Sequence, residues 1–113
     1  MNNERITQLL GFLQQEPNDP FILYGLALEY QTGSDQVTKD ECRKYFDKLL
    51  SEHKDYVPTY YHAAHFYWDC EDLERAKEIF ETGIATAKNQ QDQHATAELS
   101  NAYQNFLLEE DLD

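Results

Sequence analysis

The sequence predicts an all-α protein of about six helices, stacked as antiparallel hairpins. Three observations carry that prediction. Apolar residues recur at helical spacing: Tyr60, Ala63, Ala64 and Tyr67 fall at i, i+3, i+4 and i+7. After the polar break Asp69-Cys70-Glu71-Asp72, a second stripe runs through Leu73, Ala76, Phe80, Ile84 and Ala87. A stripe stays on one face of a helix only by repeating every three or four residues, so this is a helical hairpin. Turn formers are scarce, with 4 Gly and 3 Pro in 113 residues, too few for a sheet of many short strands. Finally, Tyr30, Tyr67 and Tyr103 recur at intervals of 37 and 36 residues in the same helical setting. That is an internal repeat.

Each element has its own justification. Asn2 or Asn3 can cap a first helix with the apolar face Ile6, Leu9, Leu10 and Leu13, ended by Pro17, which restricts the residue before it. Asp19 caps the second helix and Pro20 opens it, where a missing N–H does no harm. Its face is Leu23, Leu26, Ala27 and Tyr30. Thr32 to Gln36 break it, and Thr38 with Glu41 reads as a capping box for a third helix carrying Cys42, Phe46, Leu49 and Leu50. Pro58 belongs in the first turn of the fourth helix, because later it would break the hydrogen-bond ladder. Asn89 to Asp92 end the fifth. The sixth starts near Gln93, with Leu99, Ala102, Tyr103 and Phe106 inward, and Glu109 to Asp113 read as a frayed acidic tail. The expected divisions are an N-terminal helix (1–16), a first hairpin (20–54), a second (57–89) and a C-terminal capping helix (93–108), all in one domain.

Composition excludes several classes of function. The chain is 41% hydrophobic and 13% aromatic, ample for a core. Lys and Arg number 9 against 22 Asp and Glu, a net charge of −13, so nucleic acid and anionic membrane surfaces would be repelled. A basic partner is compatible with that charge, but a simply soluble acidic surface is the favoured explanation. No stretch reaches membrane-spanning length and no secretory signal opens the chain. Cys42 and Cys70 have no CxxC spacing and lie in or beside apolar stripes, which points to a reducing, cytoplasmic setting.

The pattern of Tyr60, Ala63-Ala64 and Tyr67 followed by Ala76-x3-Phe80 resembles the tetratricopeptide repeat (TPR), of the small bacterial type. Leu23, Leu26-Ala27, Tyr30 and Cys42-x3-Phe46 repeat it. The chain departs from the family pattern in having Ala27, Ala64 and Ser100 at its glycine and Thr96 at its large opening residue. The first helix resembles the second half of a repeat, the sixth the first half of another. The resemblance implies a right-handed α-solenoid in which the first helix of each hairpin lines a concave side. It also implies a protein-binding role without catalysis.

Three columns would then face that side: Tyr24, Leu28 and Gln31; Tyr61, His65 and Trp68; and Ala97, Asn101 and Gln104. The first two are aromatic and apolar, as binding surfaces are. Tyr24, Leu28, Tyr61, His65, Trp68 and Asn101 are therefore the candidate site for a peptide or helix of a partner protein. The same columns would be ordinary core if the last helix or Phe21 folded over them. They offer no fixed cation, which disfavours the family's use as a clamp for a C-terminal carboxylate. Self-association into a homodimer through the groove or the terminal helices is the alternative.

His62, His65 and Asp69, with Cys70 adjacent, have a spacing that could converge on a metal, but the two histidines flank the core face instead of sharing one column. Gly11, Gly25, Gly33 and Gly83 are isolated and make no phosphate loop. The cysteines are placed as packing residues, and the carboxylates spread over polar faces. Lys39, Arg43, Lys44 and Lys48, interleaved with Asp40, Glu41 and Asp47, read as a salt-bridged outer face. The sequence thus predicts neither an enzyme nor a cofactor.

Overall fold

Caps and prolines divide the chain into helices separated by very short connections. The computed structural model describes residues 1–112, and among them the elements are α1 (Asn3–Gln15), α2 (Pro20–Gln31), α3 (Gln36–Glu52), α4 (Pro58–Asp69), α5 (Leu73–Asn89) and α6 (Gln93–Glu109). Met1–Tyr56 form one compact unit, and the chain from Val57 onward forms another.

In the first unit α2 packs against both α1 and α3. Asn2 Oδ1 accepts from Arg5 N, and Asp19 Oδ1 from Phe21 N with Pro20 opening the helix, as the sequence predicts. The core joins Ile6 and Leu9 of α1, Ile22, Leu23, Leu26 and Ala27 of α2, and Cys42, Tyr45, Phe46 and Leu49 of α3. Leu10, expected on the inner face of α1, is instead exposed, because the single neighbour α2 covers only a narrow stripe around Ile6 and Leu9. Cys42 is buried, with Sγ 3.4 Å from the Ala27 carbonyl oxygen.

The expected capping box at Thr38 is corrected. Asp35 is the cap: its Oδ1 accepts from Thr38 N at 2.8 Å, so α3 begins three residues earlier. Thr38 sits inside the first turn, with Oγ1 donating to the Asp35 carbonyl. It is buried against Gly33, where a Cβ would stand 2.6 Å from Thr38 Oγ1. Only a glycine allows that approach.

In the second unit α4 packs on α5, α5 on α6, and α4 on α6. Ala63, Ala64 and Ala76 are fully buried, as expected of small residues at a helix crossing. Gly83 makes the tightest approach: a Cβ there would lie 2.5 Å from Tyr60 Cβ and 2.8 Å from its Cγ. Tyr60, Phe80, Leu99 and Phe106 fill the centre.

The connections in this unit repeat one device. Glu71 and Gln91 take left-handed backbone (φ 62° and 58°), and Asp72 N and Asp92 N reach back to the Tyr67 and Ala87 carbonyls. Both aspartates then cap the next helix, accepting from Arg75 N and Ala95 N. A helix end and a helix start are thereby fused into two residues. The same closure follows α6, with Asp111 at φ 56° and Leu112 N bonded to the Leu107 carbonyl. This corrects the expected fraying at the acidic end: Glu109 is helical and Glu110 caps it, while Asp113 lies outside the described residues.

Candidate functional site

Helical spacing aligns Tyr61, His65 and Trp68 along one side of α4, and the structure joins them into a contiguous ladder. The Tyr61 and His65 ring centroids are 4.5 Å apart, and His65 stacks on Trp68 at 5.6 Å with planes inclined by 25°. All three are half-buried, so they are neither closed core nor free surface. His65 also meets the edge of buried Phe80 at 5.8 Å.

The ladder ends against α6. Trp68 stands perpendicular to Phe106 at 5.1 Å, and its Nε1 donates to Glu110 Oε2 at 3.1 Å. A cavity of about 630 Å³ opens at that end, walled by His65, Trp68 and Leu73 and rimmed by Asp69, Glu71, Glu109 and Glu110. His65 Nε2 is buried there without a hydrogen-bond partner. Burial among the rings holds the His65 imidazole below its ordinary pKa, with Asp69 pulling weakly the other way. His62 is lowered too, by burial and by His65, against Glu98. Neither histidine is a fixed cation near neutral pH.

The remaining predicted residues are placed as follows. Tyr24 and Leu28 are half-buried on α2 in the first unit, where Tyr24 meets the Tyr56 ring edge-on at 5.7 Å. Asn101 lies exposed on α6, with Ala97 and Gln104 of its column. No group of three or more His, Cys, Asp or Glu side chains converges on a metal position among the described residues, so His62, His65 and Asp69 do not come together as their spacing allows. Glu109, Glu110 and Phe106 complete the site and were not legible as part of it. Glu110 is 42 positions from Trp68, in a stretch whose composition reads as a tail.

Comparison with known structures finds the same helical fold. A tetratricopeptide repeat domain protein from Salinibacter ruber, solved in solution, superposes with a TM-score of 0.71 at 29% identity, covering 80% of this chain and 88% of that one. The chain is a TPR-like helical-repeat protein. No protein-family model matches it and no curated protein does. The TPR-like fold supports a module for protein interaction, with the ladder on the first helix of a hairpin. No helix among the described residues is long and apolar enough to cross a membrane.

Proposed function

We propose that this TPR-like protein binds an extended or helical segment of another protein on the α4 face formed by Tyr61, His65 and Trp68. The observation that carries the reading is the half-buried aromatic ladder running into an open cavity. Rings fixed by mutual stacking lose little further freedom when a peptide covers them, so their ordering subtracts little from the affinity. Tyr24 and Leu28 on α2 present a second surface of the same kind in the first unit. Asn101 is a polar contact on α6. The role is non-catalytic and requires no cofactor.

The test is selection of a displayed random 12-residue peptide library on the whole chain, followed by calorimetry of the winners. Tyr61→Ala should weaken their binding by about 2 kcal/mol or more, as truncation of an aromatic hot spot does. It should leave the melting temperature nearly unchanged, because Tyr61 is half-exposed. Absence of winners, or equal affinity for Tyr61→Ala, would remove the proposal. Sedimentation that stays monomeric over a concentration series separates it from self-association.

A further inference from the structure

We infer that the cavity at the Trp68 end receives a cationic side chain, guanidinium or ammonium, from the segment bound on the α4 face. The inference rests on the peptide-binding reading and adds the chemistry of its occupant.

Charge complementarity argues for it. The rim carries Asp69, Glu71, Glu109 and Glu110, and no Lys or Arg lines the cavity. None of the ion pairs among the described residues involves these carboxylates: Arg5 pairs with Glu29, Lys44 with Glu41, and Arg75 with Glu78. Glu110 is occupied by the indole N–H, which fixes Trp68 and leaves the other three without a counter-charge. After Lys88 the chain contains no Lys or Arg, so α6 brings no fixed cation to the rim.

Two helix C-termini add to the field. α4 ends at Asp69 and α6 at Glu109, both on the rim, and the negative ends of their two dipoles outnumber the positive end of α5, which starts at Leu73. The wall itself suits a cation with an apolar stem. Trp68 supplies an electron-rich ring and Leu73 an aliphatic contact, while His65 offers a buried nitrogen that lacks a partner. A second copy of the chain is a poor occupant, since its net charge is also −13.

The peptides selected on the chain test this directly, and Trp68, the sole tryptophan, reports the cavity through its emission. Winners should contain Lys or Arg, shift Trp68 emission on saturable binding, and bind about tenfold more weakly when that residue is replaced by norleucine. Affinity should fall as salt rises. The double variant Glu71→Gln/Glu109→Gln, at exposed positions that spare Glu110, should lose about tenfold for the parent peptide and nothing for its norleucine analogue. Winners without Lys or Arg, or norleucine peptides of equal affinity, would overturn the cation while leaving the peptide surface intact. Binding indifferent to Tyr61→Ala would instead overturn the surface itself. A saturable emission change with calcium chloride alone, not displaced by peptide, would reassign the cavity to a metal ion and end the proposal.

Discussion

Gly83 shows how much one hydrogen atom can decide at the residue scale. The sequence marks it only as a glycine inside a helix, a position that ordinarily weakens the helix by about 1 kcal/mol relative to alanine. The structure gives the compensation: α4 approaches so closely that Tyr60 Cβ occupies the space of a Gly83 side chain. Tyr60 is 2% exposed, and its Cβ, fixed to the α4 backbone, cannot swing aside. Gly83→Ala should therefore destabilise the protein on the order of 1–3 kcal/mol through overpacking, despite its better helix propensity. Gly11 is the control. A Cβ there meets nothing within 4 Å, so Gly11→Ala should gain up to about 1 kcal/mol. Denaturant melts on the two variants measure both signs. Equal shifts in the same direction would mean that α4 and α5 do not cross where the structure places them.

Element boundaries were largely legible, since residues whose side chains act locally set them. Asp19-Pro20 and Pro58 open helices for reasons contained in two adjacent residues. Thr38 misled because Thr38-x-x-Glu41 has the spacing of a capping box, while Asp35, three positions earlier, is the cap and accepts from Thr38 N itself. The choice between them is tertiary: Thr38 is drawn into the turn by its contact with Gly33. The left-handed residues between helices were not legible at all. Glu71 and Gln91 occupy a conformation that favours glycine, and the sequence gives no glycine to announce it. Their placement predicts an easy gain. Gln91→Gly should stabilise the protein by about 0.5–1 kcal/mol, the relief of left-handed strain less the added freedom of the unfolded chain. Gln90→Gly, one residue earlier in right-handed backbone, should lose stability instead. Thermal melts that rank the two in reverse would displace the turn.

The whole molecule was readable in its repeat and only half readable in its site. Tyr30, Tyr67 and Tyr103 gave the period, and the Tyr61, His65 and Trp68 column followed from 3.6-residue spacing alone. The acidic rim did not, because Asp69, Glu71, Glu109 and Glu110 are brought together by the packing of α4 against α6, which no local pattern encodes. Folding thus concentrates like charges in a chain that already carries −13. Against this stand ion pairs such as Arg5–Glu29, Lys44–Glu41 and Arg75–Glu78, the last two i,i+3 pairs on exposed helix faces; pairs of this kind contribute tenths of a kcal/mol each. Repulsion should therefore exceed attraction, and screening should stabilise the fold. The melting temperature should rise from about 10 mM to about 0.5 M sodium chloride, as the Debye length falls from roughly 30 Å to a few ångströms. Glu109→Gln isolates the electrostatic part, because it removes one rim charge and leaves the shape of the side chain unchanged. It should melt above the parent at low salt, and the difference should shrink as salt is added. A parent melting temperature that falls with salt would mean that ion pairs outweigh repulsion. A Glu109→Gln difference independent of salt would mean that the rim carboxylates are not held close together.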